Sequence, residues 1–190
     1  MQQKFRFNAA LQTLAMLLVA GVAAAQSGTV DPHDTRTPAA SEVLDAAFAK
    51  ADAGQKNVLV HFGASWCSWC LHLDAMLTSD EVGSLFQESY VITHLTVQES
   101  PDKVALENPG ALEMLEAAGG ADAGVPIYII FDSRGNQLAT SLALPNGRNI
   151  GHPVTPEEIE AFLGLLERTA PRMTAADRAR VSSYLTEQKL

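Results

Sequence analysis

The stretch Val58-Leu59-Val60-His61-Phe62-Gly63-Ala64-Ser65-Trp66-Cys67-Ser68-Trp69-Cys70 decides how this chain is read. Its apolar run 58–62 has the length and β-branched content of a buried strand, and Gly63-Ala64-Ser65 supplies a bend. From Cys67 toward Thr78 the residues Leu71, Leu73, Ala75, Met76 and Leu77 give the apolar content of a helix. Both of the chain's cysteines then fall in the first turn of that helix. Unpaired backbone N–H groups and the helix dipole favour negative charge there, so a thiolate is stabilised and becomes a nucleophile near neutral pH. The two-residue gap sets the second sulfur one turn behind the first, within reach to displace it from a mixed disulfide. This is the pattern of dithiol–disulfide exchange.

Other chemistries fit the pair less well. A structural disulfide across so short a loop constrains little of the unfolded chain. Haem attachment needs His directly after the second cysteine, where Leu71 stands. Zinc bound at Cys67 and Cys70 would have to be completed by the scattered His61, His72, His94 and His152, because there is no second cysteine pair; no metal is assigned. A redox-inert relic is the remaining alternative.

The run Phe62 to Cys70, followed some fifty residues later by Gly124-Val125-Pro126, resembles the thioredoxin-like superfamily. Trp66 before the first cysteine, Trp69 between the two, and the continuation Leu71-His72-Leu73-Asp74 are most similar to secreted bacterial thioredoxin-like proteins with a W-C-x-W-C motif. The resemblance covers about residues 41–170. It implies an α/β thioredoxin fold, a central mixed sheet flanked by helices. It also implies a thiol–disulfide oxidoreductase with no cofactor beyond the redox-active Cys67–Cys70 disulfide. Cys67 is expected to be the nucleophile, being nearer the helix end and the more exposed, and Cys70 the resolving thiol. Trp66 and Trp69 would flank the sulfurs with apolar surface. Val125 and Pro126, with the proline cis in the family, would bind an extended substrate. One departure stands out. Thioredoxins proper carry a buried acid six residues before the first cysteine, and here that residue is His61. A neutral imidazole can also accept a proton, a protonated one would stabilise a thiolate and favour the reduced form, or His61 can be merely structural.

The N-terminus reads as an address. Lys4 and Arg6 precede an apolar core from Leu11 to Val22, and Ala23-Ala24-Ala25 offers a cleavage site before Gln26. Residues 1–25 are therefore expected to be a signal peptide, which places the protein in the periplasm or outside the cell. A retained anchor is disfavoured by the short core, and a lipoprotein anchor by the lack of a cysteine at the cleavage site. Residues 26–40 are polar with two prolines and are expected to form a flexible leader; residues 41–190 would form the domain. The formal charge of −9 argues against nucleic acid or an anionic membrane surface as partner.

Within the domain, Ser41 is a candidate N-cap for a helix ending at Gly54, and Asn57–Phe62 and Tyr90–Val97 are expected strands. Ser79 or Asp80 would cap a short helix through Phe86, and His94 would be a satisfied core or sheet-face residue rather than a ligand. Residues 98–124 form an enlarged connection with a helix from Ala111 to Ala118, either shaping substrate choice or serving as a plain crossover. Ile127–Phe131 and Gln137–Leu144 flank the turn Asp132-Ser133-Arg134-Gly135-Asn136 as a hairpin. His152 falls in a loop and is expected to be exposed, with substrate contact as the alternative. Thr155-Pro156-Glu157-Glu158 starts a helix. An extra C-terminal helix from Thr174 bears Val181, Tyr184 and Leu185 and is expected to be a packing extension.

These features together give an exported thiol–disulfide oxidoreductase that reduces disulfides in other proteins. Its partners would be protein thiol or disulfide substrates and a membrane or periplasmic thiol electron donor, and it would be a monomer. The alternatives are a non-catalytic binding module or chaperone, a disulfide donor or isomerase, and a metal carrier.

Overall fold

The structure, a computed structural model, describes residues 36–188. The expected signal peptide and the leader up to residue 35 lie outside the described residues. Residues 36–40, the end of the expected leader, are held against the domain: Thr37 Oγ1 donates to the Ala105 carbonyl at 2.8 Å, and the Ala40 N–H to that of Pro109 at 2.9 Å.

Strand β1 (Asn57–Gly63) is central. Strand β2 (Tyr90–Thr96) runs parallel to it on one side, and β3 (Ile127–Phe131) antiparallel on the other, with β4 (Gln137–Thr140) outside β3, giving the order β2-β1-β3-β4. The expected mixed sheet is therefore present. The hairpin strand β4 stops at Thr140, short of the Leu144 expected from sequence.

Side chains alternate across a strand, and β1 uses both faces. Val58, Val60 and Phe62 pack with Ala47 and Ala51 of helix α1 (Ala40–Gly54). Leu59 faces the other way, toward helix α2 (Ser68–Thr78), α3 (Gly83–Ser89) and the C-terminal pair. The short helix α4 (Ala111–Ala117) buries Ala111 and Leu115 in the α1 layer. Helix α5 (Pro156–Thr169) has the capping box its sequence announced, Thr155 Oγ1 accepting from the Glu158 N–H. Helix α6 (Ala175–Glu187) repeats the device with Thr174 and Asp177 and buries Val181 and Leu185 in the same core as α5.

Two starts differ from expectation. The N-cap of α1 is Ala39 and not Ser41: the Glu42 carboxylate accepts from the Ala39 N–H at 2.8 Å and pairs with Arg36, doing the capping from inside the first turn. Helix α3 begins only at Gly83, because Ser79 Oγ spends its hydrogen bond on the Val82 N–H in the turn ahead of it. Among the described residues no helix is long and apolar enough to cross a membrane.

Candidate active site

Gly63, at the end of β1, leads through Ala64-Ser65-Trp66 to Cys67, the N-cap of α2. Cys67 and Cys70 form a disulfide, and the Cys70 N–H points at Cys67 Sγ, 3.0 Å away. That is the expected use of a helix N-terminus, an otherwise unpaired donor aimed at the sulfur where thiolate charge would develop. The expected difference in exposure is absent: Cys67 and Cys70 are 3% and 2% exposed. Ala64 clusters with the two cysteines, Val125 packs against that cluster, and Cys67 Sγ lies 3.5 Å from the Val125 carbonyl oxygen. What is exposed is the rim, with Trp66 at 59% and Trp69 at 45%.

Val125–Pro126 is cis and leads into β3. A groove of about 330 Å³ runs beside it, lined by Trp69, Val125, Pro126, Ile150, Gly151 and His152 among others. Asn149 fixes its wall by donating to the carbonyls of Gly124 and Pro126 at 2.7 and 2.8 Å.

His152 departs from expectation. It is buried rather than exposed, because its ring stacks on Trp69 with centroids 6.2 Å apart and its Nε2 hydrogen bonds Gln188 Oε1 at 2.7 Å. Gln188 closes the C-terminus of α6, so the added helix reaches the groove as well as the core.

The connection after β2 also meets the site. The Trp66 indole N–H donates to the Gln98 carbonyl at 2.8 Å, and Glu99 accepts from both the N–H and Oγ of Ser65 at 2.6 and 2.8 Å. Those bonds hold the Glu99 carboxyl below the usual range. The start of the 98–124 segment thus fixes the bend that presents the cysteines.

Behind the disulfide lies a polar cluster. His61 on β1 is buried, its Nδ1 3.0 Å from Asp74 Oδ1 on α2 and 3.3 Å from Nδ1 of His94, its register partner on β2. An ionised carboxylate can only accept, so His61 Nδ1 carries the hydrogen of that bond, and Nε2 is buried without a partner. Burial works to raise the Asp74 carboxyl, but the hydrogen bond from His61 and the charges of His61 and His94 outweigh it and hold it low. His94 is therefore tied into the site through His61, beyond the satisfied sheet-face role expected of it. Gly63 joins this cluster to the sulfurs: a Cβ there would meet Cys70 Sγ and His94 Cε1, each at 3.0 Å, so both border one methyl-sized space.

Two of the imidazoles make stability pH-dependent. Burial holds His94 below its ordinary pKa, with the His61 charge adding to it. Burial likewise lowers His152, the Gln188 hydrogen bond opposing and the His72 charge assisting. The unfolded chain then binds more protons than the folded one as pH falls past about 6.5. Their contribution is complete above that pH and is lost as pH falls through the depressed folded values. The denaturation midpoint in urea is expected to be lower at about pH 5.5 than at about pH 7.5, and His152→Gln should flatten part of that slope. An equally steep slope in the variant would show that His152 does not contribute.

A mixed sheet whose central strand ends in a helix-capping CxxC disulfide, beside a cis-proline, defines a thioredoxin fold with a site of thiol–disulfide oxidoreductase kind. The family model described as thioredoxin-like matches residues 39–133, half of the chain, and the protein belongs to that thioredoxin-like family. No curated protein matches the chain. Among solved structures it is similar to a disulphide isomerase from Xylella fastidiosa Temecula1, at 21% identity and a TM-score of 0.46, over 83% of this chain and 96% of that one. It is also similar to a thioredoxin from Thermus thermophilus, at 18% and 0.41, over 70% and 85%. A third is the C-terminal domain of Neisseria meningitidis DsbD in the oxidised form, at 23% and 0.39, over 55% and 84%.

Proposed function

We propose that this chain is an exported thiol–disulfide oxidoreductase that reduces disulfides in other proteins. The observation that carries the reading is the Cys67–Cys70 disulfide at the N-terminus of α2, rimmed by exposed tryptophans and backed by imidazoles. In the reduced form Cys67, as thiolate, attacks one sulfur of a substrate disulfide, forming the mixed disulfide and releasing the first substrate thiolate. Cys70 gives its proton to the neighbouring imidazole cluster and attacks Cys67 Sγ. The second substrate thiolate leaves, and two electrons have passed from the dithiol to the substrate. His94, which borders the same space beside Gly63 as Cys70 Sγ, and His61 bonded to it, with Asp74 setting the tautomer, would be the bases. Val125 and Pro126 with Trp66 and Trp69 would seat the substrate chain.

The charge around the pair supports the reducing direction. A thiolate stabilised by positive charge favours the dithiol and makes an oxidant. Here the nearby charges include Glu99, which bonds Ser65 two residues before Cys67, and Asp74 one turn beyond Cys70, in a chain of formal charge −9, while burial holds His94 below its ordinary pKa and so toward the uncharged imidazole. Lys103, whose Nζ is 3.3 Å from Ser65 Oγ, is opposed by Glu99 on the same serine. Carboxylates disfavour the thiolate and so the dithiol. The N-terminal basic and apolar segment supports export, and a membrane or periplasmic thiol donor would return the electrons to the monomer.

Titration of the Cys67/Cys70 pair against dithiothreitol and glutathione tests this. The potential is expected near the thioredoxin end, about −270 mV, and not near the DsbA value of about −120 mV. A value at the oxidising end would make the protein a disulfide donor, and a pair that does not cycle would leave only the binding module.

A further inference from the structure

The polar cluster behind the disulfide has the geometry of a cation site. Two ligands bonded to a tetrahedral zinc at about 2.0–2.1 Å lie roughly 3.3 Å apart. His61 Nδ1 and His94 Nδ1 are 3.3 Å apart, and His61 Nδ1 and Asp74 Oδ1 are 3.0 Å apart. All three atoms lie within 4.8 Å of one another, so a small inward shift of Asp74 or His94 brings the third edge to the same length. Two facing imidazole nitrogens need a proton or a cation between them, and here a carboxylate supplies the opposing charge. His61 is fixed in the core at 1% exposure, whereas Asp74 and His94 reach the surface, which gives an ion both a rigid anchor and an entry path. We propose that His61, His94 and Asp74 form a binding site for a zinc-class divalent cation, distinct from the cysteine pair.

The donor set selects the metal. Two imidazoles and one carboxylate suit zinc, cobalt, nickel or copper ions and not magnesium or calcium, which take oxygen ligands. Binding displaces the hydrogen of His61 Nδ1 and moves it to Nε2, which is buried with no acceptor. Metal-ligating imidazoles ordinarily donate that second N–H, and lacking the partner costs about 10–100-fold in affinity. The site is thus expected to bind exchangeably and not as a permanent structural zinc. The proposal does not depend on the direction, or the existence, of the exchange reaction.

Cobalt titration of the oxidised full-length chain tests it, because the disulfide keeps both sulfurs out of coordination. After stripping with a chelator, the wild type is expected to bind one equivalent of Co²⁺ with the visible ligand-field absorption of a four-coordinate ion, and Zn²⁺ should displace it. Asp74→Asn and His94→Gln should each weaken binding at least about tenfold with unchanged circular dichroism, both side chains being partly exposed. His72→Gln, outside the cluster, should bind as wild type does. Absence of the cobalt spectrum in the wild type, or binding that survives both Asp74→Asn and His94→Gln, overturns the site. Either result leaves the measured potential of the cysteine pair untouched, so the two readings fail separately.

Discussion

Cys67→Ser is expected to abolish disulfide reduction to the uncatalysed background, while Cys70→Ser is expected to accumulate a covalent complex with substrate. The asymmetry follows from the turn. The Cys70 N–H is aimed at Cys67 Sγ and not the reverse, so charge is stabilised on the first sulfur. A serine hydroxyl at 67 is too weak a nucleophile at neutral pH to replace it. A serine at 70 leaves Cys67 able to attack but nothing able to displace the mixed disulfide. The checks are turnover with a model disulfide protein and a non-reducing gel, on which the trapped species should appear with Cys70→Ser and vanish with dithiothreitol. Full activity in the double variant Cys67→Ser/Cys70→Ser would sink the enzyme and favour a tryptophan-rimmed binding surface. Trapping by Cys67→Ser instead would reverse the two roles.

Local features of this site were legible because they need only near neighbours in the chain. An apolar run, a small-residue bend and an apolar helix fix β1 and α2, and Thr155 with Glu158 fixes the start of α5 within one turn. His94 was not legible as part of the site, because its contact with His61 depends on the register of two parallel strands 33 residues apart. Asp74 left a usable signal: it lies four residues after Cys70 in α2, on the same helical face, so an acid missing from the strand could have been sought there. The burial of His152 could not be read locally, since it depends on Trp69 and on Gln188 at the far end of the chain. The relative exposure of Cys67 failed for the same reason. Its cover comes from Val125, brought against the cysteine cluster by β3. In each case the missing information was which distant segment packs on a side chain, and that is set by the sheet order.

Phe162→Ala is expected to destabilise the domain by about 3–5 kcal/mol, the usual cost of removing a fully buried aromatic ring. Phe162 is 1% exposed on α5. Its ring meets Phe86 of α3 with centroids 6.2 Å apart and Tyr128 on β3, in a T-shaped pair, with centroids 5.9 Å apart. It therefore ties three elements together inside the larger of the two cores. Against a total stability of about 5–15 kcal/mol, the loss is a large share. The melting temperature should fall by about 6–20 °C for a domain of this size. Thr155→Ala on the same helix, which removes a cap but no core volume, should cost only about 1 kcal/mol. Thermal and urea denaturation of both variants in the oxidised form would check the ranking with the disulfide held constant. If Phe162→Ala cost no more than Thr155→Ala, α5 would be an appendage, and its packing would not hold β3 and the adjoining Val125–Pro126 segment in place beside the cysteines.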